Sequence, residues 1–143
     1  MIDGYVGIRF VDKGRALDLA SADRDGCDCW GLVRLVHYLE SGVLLESYGD
    51  ISYKELLAVA HRMKAGLDDE TWVNVADQPR RRLDIVVMRK LEEVSNAPYH
   101  VGIMLSPELM LHTTGITGSH TTRLNHPAVK PKIIAYRRHK DLA

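Results

Sequence analysis

The chain has 143 residues, 45% of them apolar and 27% charged, the size and balance of one domain able to bury a core of its own. Lys plus Arg and Asp plus Glu both number 19, so no net field argues for a nucleic-acid or anionic-membrane partner. No stretch approaches the ~20 apolar residues of a membrane-crossing helix, and neither repeats nor low-complexity segments occur. The opening MIDGYVGIRF carries an acid where a secretion signal needs positive charge, with no apolar segment behind it. Synthesis in a cytoplasm without a cleaved leader is therefore expected.

Residues 11–27 are polar and carry Gly, Ser and Asp, which predicts a long loop with one short helical turn at most. Asp25 and Asp28 are both placed to cap a following helix. Cys29, Leu32, Val33, Val36 and Leu39 recur at helical spacing and end near Gly42, so Cys29 faces the interior from the first turn. Ser52 and Glu55 form a capping box for a second helix with an apolar face of Tyr53, Leu56, Leu57, Ala60 and Met63, stopped by Gly66. Arg80, Arg81 and Arg82 read as a solvated loop. The period then shortens to two, and strands are expected at 71–75, 83–88, 99–105, 109–114 and 132–137. Helices followed by strands describe a single α+β domain over 1–143, its N-terminal helices packed on one face of an antiparallel sheet.

Ser106-Pro107-Glu108 predicts a three-residue hairpin loop. Leu105 then faces Leu109, Gly102 faces His112, and His100 shares a sheet face with His112. Diagonal neighbours of this kind lie about 7–8 Å apart, and Gly102 is expected to leave the space between them open.

Two cysteines spaced C-x-C do not make a disulfide framework, because a bridge across one residue is strained. A thiol at a helix start meets unpaired N–H groups and a partial positive charge, which favour thiolate and can hold an oxyanion. A neighbouring histidine can take the thiol proton, and a second polar group can fix that imidazole. His100 and His112 fit those two roles in that order. Two other readings stay open. Cys29 can be a small buried hydrophobe, and Cys27, Cys29, His100 and His112 add up to four zinc ligands, although C-x-C is a poor zinc knuckle. Cys27 reads as loop packing, Trp30 as packing beside the helix, and His37, His61, His120, His126 and His139 as surface residues.

DCWGLV (28–33), YHVGIML (99–105) and LMLHT (109–113) resemble the three active-site blocks of the NlpC-type cell-wall cysteine peptidases. LDIVVM and IIAYRR resemble that family's flanking strands, so the likeness runs from about Tyr5 to Arg138. It implies a papain-like α+β fold and an endopeptidase that cuts peptidoglycan stem peptides at a γ-D-glutamyl bond to diaminopimelate or lysine. Cys29 would be the nucleophile, His100 the base and His112, twelve positions later, the orienting residue, with no cofactor or metal. Trp30 after the cysteine, the long preceding loop and YGD at 48–50 resemble the phage-encoded branch, which implies a virion tail location and tail-tip partners. Two positions depart from the pattern. Phe10 stands where a tyrosine is usual, and Leu83 where a glycine is usual. A catalytically weak tail-assembly protein with the same fold is the alternative that Phe10 favours.

Overall fold

A computed structural model describes residues 2–49, 52, 54, 56–90 and 98–143. The predicted N-terminal loop contains a true helix, α1 (Leu19–Asp25), capped by Asp18, whose carboxylate accepts from the Ser21 N–H at 2.8 Å. Asp25 ends α1 instead of capping the next helix. That task falls to Asp28, which accepts the Gly31 N–H at 2.8 Å and opens α2 (Cys29–Ser41); Gly42, left-handed at φ 77°, closes it.

The buried face of α2 is wider than the predicted stripe. Leu32, Val33, Leu35, Val36 and His37 are all fully enclosed. Leu39, by contrast, is 40% exposed. The third helix, α3 (Leu56–Leu67), runs through Gly66 rather than stopping there. Gly66 is needed for packing: a Cβ at that position would come within 2.7 Å of the Tyr48 hydroxyl. Tyr53 and Glu55 lie outside the described residues, as do the side chains of Leu56, Leu57 and Ala60, so the capping box rests there with them.

Six strands follow: β1 (Trp72–Asn74), β2 (Ile85–Met88), β3 (His100–Met104), β4 (Leu109–Thr114), β5 (Gly118–Arg123) and β6 (Ile133–His139). They form one antiparallel sheet in the order β1-β6-β2-β3-β4-β5. Strand β5, GSHTTR, carries no apolar residue to announce it. It forms because β4 supplies a full ladder on one edge, while the N-terminal segment bonds its start, with Gly7 N–H to Ser119 O at 2.9 Å and Ser119 N–H to Ile8 O at 2.8 Å.

Alternation along the strands builds two apolar layers. Ile85, Val87, Val101, Ile103 and Leu111 pack in one cluster with the buried face of α2. Val86, Met88, Met104 and Met110 pack with Val129 on the opposite face. Each such enclosed side chain contributes roughly 1.5–3 kcal/mol over leaving it in water, enough to hold α2 against β3 and β4. The hairpin register is the predicted one: Ile103 faces Leu111, Met104 faces Met110, and the Leu105 N–H donates to Leu109 O at 2.9 Å. The space over Gly102 is not open, however. Met110 fills it so closely that a Cβ there would lie 2.5 Å from its sulfur.

Candidate active site

The start of α2 is anchored from below. The Asp28 carboxylate also accepts the Lys13 N–H at 3.1 Å and pairs with Arg15, whose guanidinium donates onward to the carbonyls of Ser47 and Tyr48. A side chain on Gly31 would place its Cβ 1.9 Å from Gly14 O, so only glycine lets the loop close on the first turn. This clamp sets the position of Cys29.

Cys29, His100 and His112 line one cavity of about 420 Å³, with Phe10, Tyr99 and Thr113 among its other walls. The three residues therefore converge on one cavity. The two rings touch directly rather than across a gap: His100 Nε2 lies 3.0 Å from His112 Nδ1. His112 Nε2 in turn lies 3.1 Å from Thr122 Oγ1 on β5. Each of these contacts carries one proton. If His100 keeps Nδ1 free as an acceptor, its Nε2–H donates to His112, and His112 donates its own Nε2–H to Thr122. The Thr122 hydroxyl, which can accept as well as donate, accommodates this arrangement.

Electrostatics favours neutral groups here. Burial, then repulsion from Asp28, pushes the Cys29 thiol up to about 12, against the pull of the Val101 and Trp30 N–H groups and of Arg15. Desolvation thus opposes the thiolate that the helix start favours. Burial, then the positive charge of Lys132, pushes His100 down to about 4. Burial and the neighbouring His100 push His112 to about 3. All three shifts favour the neutral forms, thiol and imidazole.

Other expectations are sorted by burial. Cys27 is 1% exposed and does not line the cavity, so it packs as expected, and the C-x-C pair does not converge on the histidines. Among the described residues, no group of three or more His, Cys, Asp or Glu is arranged to hold a metal ion. Trp30 packs beside the helix and donates its indole N–H to Glu46 O at 2.7 Å. His61 and His126 are exposed as read. His37 and His139 are buried, against the surface expectation, because both enclose Trp72 with ring centroids 6.2 and 5.4 Å away. His120 is half-buried, its ring 4.4 Å from His112. Thr122 and His120 were missed as site residues because the strand that carries them has no apolar period. Their alternation with Met110 and His112 across β4 is visible only once that ladder exists.

A cysteine at a helix start, set against a histidine pair on an antiparallel sheet, defines the papain-like class of α+β folds. Within that class, residues 14–138 match the NlpC/P60 family, and the chain belongs to that family. Solved structures agree on the fold. A lipoprotein-like NLP/P60 family protein of Staphylococcus aureus superposes with a TM-score of 0.60 at 18% identity, covering 96% of this chain and 39% of that one. The NlpC/p60 domain of the peptidoglycan hydrolase SagA gives 0.55 at 17% identity, covering 94% and 89%. The P60 domain of the antigen MAP1204 from M. avium subspecies paratuberculosis gives 0.56 at 17%, covering 96% and 88%. The chain thus spans well under half of the staphylococcal protein but nearly all of the two isolated domains. No curated protein matches it. No helix among the described residues is long and apolar enough to cross a membrane.

Proposed function

We propose that this chain is a cysteine peptidase acting on the stem peptides of bacterial peptidoglycan, at the γ-D-glutamyl bond to diaminopimelate or lysine. The observation that carries the reading is the shared cavity of Cys29, His100 and His112, with its His100–His112 bond of 3.0 Å. Membership of a family that includes peptidoglycan hydrolases supports the substrate class. The likeness of the nucleophile loop and of the Cys29-Trp30 pair to phage-encoded members supports a role at a virion tail, with tail-tip proteins as partners.

In the proposed reaction, Cys29 Sγ attacks the scissile carbonyl carbon while its proton passes to His100 Nδ1. The carbonyl π pair moves to oxygen, which the Cys29 N–H at the helix start receives as an oxyanion. Collapse re-forms the carbonyl, breaks the C–N bond and delivers the proton from His100 to the leaving amine. Water, deprotonated by His100, then releases the acyl group from sulfur. His112 acts through His100 by holding its ring and accepting its Nε2–H. A second reading, a domain that binds wall without cutting it, is favoured by Phe10, which contributes no hydroxyl to the cavity.

Digestion of purified peptidoglycan, with mass spectrometry of the released peptides, tests this directly. Wild type is expected to release stem-peptide fragments and Cys29→Ala to release none while remaining folded. His100→Asn is expected to fall to background, about 10³-fold or more, since no amide exchanges protons. His112→Asn keeps one hydrogen bond to the ring and is expected to lose only about 10-fold to 10²-fold, with His112→Ala lower. Equal release from wild type and Cys29→Ala would sink the peptidase reading in favour of binding alone.

A further inference from the structure

Strand β4 sends alternate side chains to opposite faces. His112 points away from the helices and meets His100. Thr113, the next residue, lies on the side of Leu111, which is buried in the cluster that contains α2. Thr113 thus lines the cavity from the face of the sheet on which α2 packs, and Cys29, another lining residue, is the first residue of α2. The Thr113 side chain is 1% exposed, and its Oγ1, closed off from solvent in the free protein, has no hydrogen-bond partner among the described residues. A buried hydroxyl left unpaired opposes folding, so such a group calls for an explanation in use.

Several of the polar groups around the cavity are already engaged. Thr114 Oγ1 is held by Thr117 Oγ1 at 2.8 Å. The two histidines are bonded to each other, and Lys90 Nζ lies over the Tyr99 ring at 4.8 Å. The side chain of Phe10 supplies only carbon. The helix start provides one oxyanion donor, the Cys29 N–H. A tetrahedral oxyanion takes more than one donor, set where charge develops and spared reorganisation at that moment.

We propose that Thr113 is a catalytic residue whose hydroxyl, idle in the free protein, donates a hydrogen bond to the substrate carbonyl oxygen as it becomes the oxyanion. The inference rests on the peptidase reading above. No proton is transferred by Thr113: the S–C bond forms, the carbonyl π pair moves to oxygen, the thiol proton goes to His100, and Thr113 Oγ1–H only donates. It serves beside the Cys29 N–H and is released when the carbonyl re-forms.

The test compares Thr113→Val, Thr113→Ala and Thr113→Ser with wild type in steady-state cleavage of a stem peptide, alongside thermal unfolding. Thr113→Val keeps the shape and removes only the unpaired hydroxyl, so its Tm is expected to equal or exceed that of wild type. Its kcat is expected to fall about 10²-fold with KM within about threefold, because the bond exists only in the transition state. Thr113→Ala, which adds no bulk, is expected to fall as far in kcat, and Thr113→Ser to keep kcat within about fivefold. A kcat for Thr113→Val and Thr113→Ala within threefold of wild type would overturn the proposal and leave the peptidase reading standing. So would a loss confined to KM, or a Tm lowered in step with activity in both variants. Wild type that releases no more than Cys29→Ala defeats the peptidase reading itself, and this assignment with it.

Discussion

Cys29 is acted on from two directions. The N–H groups of Trp30 and Val101 and the charge of Arg15 favour thiolate, while burial and the adjacent Asp28 oppose it and prevail. A sequence shows the first influence plainly, because Asp-Cys-Trp at a helix start is a local pattern. It does not show the second, since desolvation depends on the core that packs against Cys29 in three dimensions. The neutral resting state has a kinetic signature. Alkylation requires thiolate, and thiolate grows tenfold per pH unit wherever the pH lies well below the thiol's own value. Iodoacetamide labelling of Cys29 is therefore expected to rise about tenfold per unit between pH 7 and 10 without a plateau. Peptide mapping separates it from Cys27, whose thiol burial pushes up to about 11. A rate independent of pH near neutrality would mean a preformed thiolate–imidazolium pair, and the neutral assignment would fail.

Between residue and fold, the histidine hairpin is the element most legible in the sequence. Its register follows from a three-residue loop and a period of two, both local. What lies beyond it is not local. Strand β5 has a polar sequence and exists only because β4 and the N-terminal segment bracket it. His37 and His139 look like surface residues until Trp72 brings them together. Leu83, just before β2, gives a sharper case. It sits at φ +73°, in the region that favours glycine, yet its side chain is 4% exposed and joins the helix-side core. Strain of roughly 1–3 kcal/mol is thus offset by burial of roughly 1.5–3 kcal/mol. At an ordinary site, glycine is less stable than alanine by about 0.5–1 kcal/mol. Here Leu83→Ala loses the burial and keeps the Cβ strain, whereas Leu83→Gly loses the burial and relieves it. Both variants are expected to be less stable than wild type by about 1–3 kcal/mol, with glycine equal to or better than alanine in chemical denaturation. Alanine clearly more stable than glycine would show that no strain resides there.

At the scale of the whole molecule, titration ties the site to the stability of the fold. Asp84 and Arg138 form a bidentate pair at 2.7 and 2.9 Å that is almost wholly enclosed and binds β6 to the start of β2. Three histidines have their charged forms disfavoured by desolvation: His37 and His112, which are buried, and His100, which is half-buried. Burial lowers His37, and burial together with neighbouring charge lowers His100 and His112 below the ordinary value of 6.5. In the unfolded chain each would accept a proton as pH falls through about 6.5; in the folded protein they do so only at lower pH. Between those limits the unfolded state binds more protons, so stability rises with pH there and is lost as pH falls. It is fully present above about 6.5. Each histidine contributes a slope of up to about 1.4 kcal/mol per pH unit. Because His100 and His112 share a hydrogen bond, a proton taken by one opposes a proton on the other, and their titration is spread rather than sharp. The Tm is accordingly expected to be level between pH 7 and 8 and to fall progressively from 6.5 towards 4. In His112→Asn, which removes one of the three, that decline should be shallower. Thermal unfolding followed by circular dichroism across this range decides the matter: a Tm that stays flat or climbs on acidification to pH 4.5 would mean that these rings are already charged in the folded protein.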